Sequence, residues 1–265
     1  MNNSKSYIDI FTEPLKECLA YKPKFGISKR AEGVSLSEFL SIYGRDPFYS
    51  SIGLNSPYMY AAHKAAGGMT SIYRQIGIGC ERLFRQVIFD STSYSDYAST
   101  GWSYMAKTKS GKDKVMHLDA RLELSEINDD RVKINVEKWI KEYSLRLGLG
   151  NKKVRGTVFE VRQGYKSKDS KRQNGDLDNA TVAYAYNYLP IFAIFSSQID
   201  KDLVLRYTNS KCGILTGMES GDVFSSLFSF SREVLGYDLL RFFKDNTAEI
   251  RDVVENTLKA LLVAK

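Results

Sequence analysis

The chain has 265 residues, enough for one large domain or one domain with a small helical lobe. Hydrophobic residues make up 43% and charged residues 26%, an ordinary globular balance that excludes intrinsic disorder as the default. The net charge of +7 favours a polyanionic partner, of which nucleic acid is the commonest.

The opening residues MNNSKSYIDIF carry no apolar signal-peptide core, and the longest apolar run, around 189–195, is far too short for a membrane span. The expected location is cytoplasmic. Cys18, Cys80 and Cys212 are far apart, odd in number and without CxxC or Cys/His zinc spacing, which reads as buried thiols in a reducing compartment.

The first ninety residues read as helices and loops. Helices are expected near 6–20 and 35–43, the second opened by Ser35 as N-cap with Glu38 three residues on. An irregular segment follows at 44–57, then helices near 57–65 and 70–89 separated by Gly67-Gly68. The period then changes. GWSYMAKT (101–108) and DKVMHLDARLEL (113–124) read as a hairpin turning at Ser110-Gly111. In the second strand Met116, Leu118, Ala120 and Leu122 share one face, and His117, Asp119 and Arg121 the other.

An amphipathic helix is expected at 135–147, and a third strand, GTVFEVRQG, at 156–164 with Val158, Glu160 and Arg162 on one face. A polar loop leads to a helix near 175–188 and then to LPIFAIFSS (189–197), apolar on both faces and so a covered central strand. A short helix (199–207), a strand (212–217) and helices at 219–234 and 246–262 complete the chain. The order implies an α/β fold with a mixed sheet flanked by helices: a helical region to residue 95, an α/β core over 96–217 and C-terminal helices from 218, in one domain.

Asp119 and Glu160 stand on otherwise apolar strands, where a carboxylate is costly unless paired or bound to a cation. If their strands are neighbours, two oxygen ligands converge on one hard cation such as Mg²⁺; on a solvated sheet face they would instead pair with Arg121 and Arg162. The loop RQGYKSKDSKR (162–172) sets Arg162, Lys166, Lys168, Lys171 and Arg172 against one acid, Asp169. Directly after the Glu160 strand it suits a phosphate backbone beside a metal, while such a run elsewhere is a solvated charge cluster. Glu81 on the helix SIYRQIGIGCERLFRQ reads from its spacing as a partner of Arg85 one turn away. Lys64, Arg74 and Gln75 flank it as candidate phosphate or base contacts. His63 and His117 are the only histidines, and no GxxxxGKS loop exists.

The segment 115–197 resembles the PD-(D/E)XK nuclease core of type II restriction endonucleases, in its EcoRI-like branch. The first acid matches Asp119 in HLDAR and the second matches Glu160 in FEVRQG, followed by a basic loop, a helix and an apolar strand. Leu118 stands where the pattern has proline, and Arg162 where it has lysine. Arginine stays protonated and cannot act as a base. The resemblance implies a restriction-endonuclease-like fold and Mg²⁺-dependent, sequence-specific hydrolysis of double-stranded DNA leaving 5′-phosphates.

It further implies Asp119 and Glu160 as metal ligands and Arg162 as transition-state stabiliser, with Glu81, Gln163 and Lys166 as auxiliary residues. Lys64, Arg74, Gln75, Lys166, Lys168, Lys171 and Arg172 would contact DNA. A homodimer, one active site per strand, and a cognate DNA methyltransferase are the implied partners. Two other readings stay open: a structure-specific or repair nuclease of the same fold, and a non-enzymatic DNA-binding protein on a decayed nuclease core.

Overall fold

The computed structural model describes residues 6–25, 33–107, 111–150, 153–164 and 170–263. In chain order its helices open with α1 (Tyr7–Lys16), α2 (Leu36–Gly44), α3 (Pro47–Ser51) and the long α4 (Pro57–Thr92). Strands β1 (Trp102–Lys107), β2 (Asp113–Leu118) and β3 (Ala120–Glu123) follow, then α5 (Asp130–Arg146) and β4 (Gly156–Arg162). Next come α6 (Ser170–Ala185), β5 (Tyr188–Ile194), α7 (Lys201–Asn209) and β6 (Gly213–Leu215). Helices α8 (Leu227–Glu233), α9 (Leu239–Asp245) and α10 (Thr247–Leu262) end the chain.

The protein is α/β, and it divides into two compact units: residues 1–79 with 245–265, and residues 80–244. The first unit gathers the N-terminal helices and α10, a grouping the expected boundaries at 95 and 217 do not follow. Its α2 begins with the reciprocal cap read from the sequence, Ser35 accepting from the Glu38 N–H while the Ser35 N–H donates to the Glu38 carboxylate at 2.9 Å. The expected break at Gly67-Gly68 is absent, since α4 runs through it. A Cβ at Gly68 would collide with Leu261 of α10 and one at Gly79 with the Phe11 carbonyl of α1, so these glycines let helices approach closely. Close packing repays the helical propensity that glycine forfeits.

The second unit holds a four-stranded mixed sheet in the order β3-β4-β5-β6, with β3 antiparallel to β4 and the other pairs parallel. β5 is the covered central strand expected: every residue from Tyr188 to Ile194 is buried. On one side Phe192 and Ile194 pack with Ala180 of α6 and with Leu203 and Tyr207 of α7. Phe84, in the α4 segment that belongs to this unit, meets Phe159 of β4 edge-on at 5.1 Å between centroids. Cys18, Cys80 and Cys212 are free and buried, as expected.

The expected hairpin forms, but its second strand breaks at Asp119. β2 pairs with β1 as a separate two-stranded ribbon, and β3 joins the main sheet. The helix expected from 175 begins at Ser170, so half of the supposed polar loop is helical; Tyr165, Lys166, Lys168 and Asp169 lie outside the described residues. The helix expected at 219–234 is confined to α8, after an irregular stretch joined to the sheet edge by the bridge Thr216–Ser226.

Candidate active site

Asp119 occupies the break between β2 and β3, where the chain leaves one sheet for the other. Its Oδ2 accepts from the Val161 N–H at 2.7 Å. A side-chain oxygen thereby satisfies a β4 donor, and the carboxylate is fixed against the Glu160–Arg162 segment. Glu160 follows Phe159, which is in register with Ala120, so the two acids read from the sequence do come together. Glu160 is 8% exposed.

The guanidinium of Arg162 stands among the acids. Its Nη1 lies 3.4 Å from Asp119 Oδ2 and donates to the Val161 carbonyl at 3.2 Å. Its Nη2 donates to Glu160 Oε1 and, at 3.2 Å, to Asp176 Oδ1. Asp176 projects from α6, is 5% exposed, and accepts at Oδ2 from the Tyr207 hydroxyl of α7 at 2.8 Å. Three carboxylates and a backbone carbonyl thus share one cation.

Burial raises the pKa of Glu160; the Asp119 and Asp176 charges push the same way, and Arg162 opposes them. Burial likewise raises Asp119, against the pull of Arg162 and the Val161 N–H. In both acids burial is the first cause of the rise and Arg162 is the charge that opposes it. Among the described residues, no three His, Cys, Asp or Glu side chains form a ready-made metal cluster. Mg²⁺ needs only one or two carboxylates, its other positions going to water and phosphate. The Asp119 and Glu160 carboxylates and the Val161 carbonyl are hard oxygens already gathered on one cation, so the donor chemistry fits that ion.

Glu81 and Asp119 line the same cavity of about 370 Å³, with Arg85, Trp102, Ser103 and His117. Burial raises the pKa of Glu81, and the Asp119 charge adds to it. The Glu81 carboxylate also lies 4.0 Å from Arg85, the partner one turn away. Arg121 is elsewhere: it bonds Glu126 at 3.0 Å and the Ser99 carbonyl at 2.9 Å. Of the alternative ion pairs, only the one with Arg162 forms at the acids.

Gln163, just after β4, is half-buried, its carbonyl accepting from the Ser196 N–H. Lys171 and Arg172 are exposed in the first turn of α6. In the first unit, Lys64 Nζ donates to the Val263 carbonyl at 3.0 Å and Gln75 to Glu17 at 2.9 Å, while Arg74 is exposed. Sequence reading missed Asp176 and Tyr207. The signal was there: Gln173, Asp176, Ala180 and Ala183 fall at helical spacing, so Asp176 is an acid in a buried stripe.

No protein-family model, curated protein sequence or solved structure matches this chain.

Proposed function

We propose that the protein is a Mg²⁺-dependent endonuclease of the type II restriction kind, with a restriction-endonuclease-like core, that hydrolyses double-stranded DNA at a specific sequence and leaves 5′-phosphates. One observation carries the reading. An acid at a strand break and an acid-x-cation segment on the neighbouring strand, in the chain order of the PD-(D/E)XK pattern, bring two carboxylates and a carbonyl onto a single positive group.

Asp119 and Glu160 would hold Mg²⁺, and Val161 would offer its carbonyl. When bound, such an ion lowers the pKa of water and neutralises charge building on the scissile phosphate. Arg162 cannot accept a proton, so it serves as an electrostatic group, donating to phosphate oxygens as negative charge grows. Asp176, with Tyr207, keeps the guanidinium beside the acids. Glu81, His117 and Arg85 line the space next to Asp119, where a DNA strand would enter, and Lys171 and Arg172 lie on the helix after β4, suited to phosphates. A homodimer cutting both strands of a two-fold site, alongside a cognate methyltransferase, belongs to the same proposal.

A second reading is favoured by one specific observation: Arg162 already occupies the centre of the acidic group, as it would in a DNA-binding protein whose nuclease core has lost its metal. Incubating purified protein with long DNA in Mg²⁺ or in EDTA separates the two. Discrete fragments that require Mg²⁺ support the endonuclease. Intact DNA under every divalent ion, with binding retained, supports the decayed core, and cutting only at junctions or ends supports a structure-specific nuclease.

A further inference from the structure

Arg74 differs from its neighbours Lys64 and Gln75, which are tied to groups within the first unit. It lines a cavity of about 490 Å³ together with Lys22, Lys24, Thr70, Ser71 and Tyr21. The Tyr21 hydroxyl lies against Gly67, where any Cβ would collide with it, so the wall has no room for a larger residue. Among the described residues, no acidic side chain lines this cavity. Lys22, Lys24 and Arg74 are all exposed residues, and three like charges lining one opening repel one another unless an anion joins them.

The Thr70 and Ser71 hydroxyls add neutral donors. Cations with hydroxyls around a solvent-open hollow are the chemistry that recognises a phosphate. The lining also extends beyond a single anion. A second cavity of about 500 Å³ shares Tyr21 and Lys22 with the first and adds Lys64 and Lys259. Burial holds the Lys64 ammonium below the ordinary lysine pKa, so a nearby anion would stabilise its charged form. Lys259 is paired with Glu255 at 2.8 Å and Lys64 with the Val263 carbonyl. It is therefore Lys22, in the shared wall, that carries the charge of Lys24 and Arg74 on towards the second hollow, an extension that suits a strand of phosphates better than a lone phosphate ion.

We propose that the first unit carries a phosphate-binding cleft, built on Lys22, Lys24 and Arg74, that holds the backbone of a DNA strand. All of its residues lie outside the unit that carries the carboxylates. The proposal rests on the nuclease reading only for the choice of DNA as the polymer.

The test is fluorescence anisotropy of a labelled duplex in EDTA, titrated at several salt concentrations, with the full chain. The variant carries Lys22→Gln, Lys24→Gln and Arg74→Gln. A control of equal charge change carries Lys138→Gln, Lys141→Gln and Lys153→Gln, all at exposed positions in the other unit. The cleft variant is expected to bind at least about tenfold more weakly, with a slope of log affinity against log salt shallower by about two. The control should stay near wild type.

Wild-type affinity and slope in the cleft variant, equal losses in both variants, or no DNA binding by the wild type would each overturn the cleft. A further arm adds inorganic phosphate at constant ionic strength. Displacement of DNA from the wild type by millimolar phosphate would show a small-anion pocket and also overturn it, and failure to displace is the expected result. Cutting in Mg²⁺ is scored separately. A chain that never cuts but shows the affinity loss keeps the cleft and loses the nuclease; one that cuts with DNA binding untouched by the substitutions keeps the nuclease and loses the cleft.

Discussion

At the residue scale, Arg162 carries one positive charge among Asp119, Glu160 and Asp176, so negative charge is left over whenever all three acids are ionised. On the proposed reading that surplus would attract a divalent ion, and the guanidinium would compete with the ion for the same oxygens. Arg162→Ala should therefore bind Mn²⁺ about tenfold more tightly without DNA, ~1.4 kcal/mol, while losing DNA cutting. Calorimetric titration measures this, and an unchanged affinity would mean that Arg162 and the ion do not share a site.

Glu160 also sets a pH dependence. Its folded pKa is raised by burial, then by Asp119 and Asp176, above an unfolded value near ~4.3. Between those two values the folded state binds more protons than the unfolded state, so stability falls as pH rises through the window. Thermal melts of the metal-free protein should show a melting temperature that declines with rising pH there, and Glu160→Gln should flatten the decline. Metal binding, which needs the ionised acid, should strengthen over the same range. Tyr207→Phe deletes the hydroxyl that a buried Asp176 accepts from, a loss worth ~1–3 kcal/mol by denaturant unfolding.

At the element scale, α4 offers a paired test of what its glycines do. At Gly77 an added Cβ meets nothing, so Gly77→Ala should stabilise by ~0.5–1 kcal/mol through helix propensity. At Gly79 the Cβ strikes the Phe11 carbonyl, so Gly79→Ala should destabilise, by ~1–3 kcal/mol. Urea melts of the two variants should move in opposite directions.

The same helix shows what could be read from the sequence and what could not. Glycine signals a break when propensity alone is weighed, and only the position of α10 and Phe11 reveals close packing instead. β5 was legible because an unbroken apolar run can be satisfied only by cover on both faces. The Ser35–Glu38 cap was legible because it is local. Asp119 was legible as an acid on an apolar strand, but not as the residue at which that strand changes sheets, since pleat alternation carries no sign of a switch. Asp176 and Tyr207 meet across 31 positions of chain, and a contact between α6 and α7 is set by tertiary packing.

At the scale of the whole molecule, the charge of +7 is spread over two units, and the acids of the second unit are a local exception to it. A cluster of buried carboxylates in a basic protein is costly for stability, and a cation bound there, as proposed, would offset that cost. On the proposed reading, Asp119 and Glu160 act on DNA through Mg²⁺. The most direct test compares wild type and Glu160→Gln on the same long DNA in Mg²⁺, with duplex affinity measured in EDTA. The expected result is discrete Mg²⁺-dependent fragments from the wild type, cutting lowered at least ~10³-fold in the variant, on the order of 4 kcal/mol of transition-state stabilisation, and equal affinities. Undiminished cutting by Glu160→Gln would contradict the site, and no cutting by the wild type with any divalent ion would contradict the enzyme.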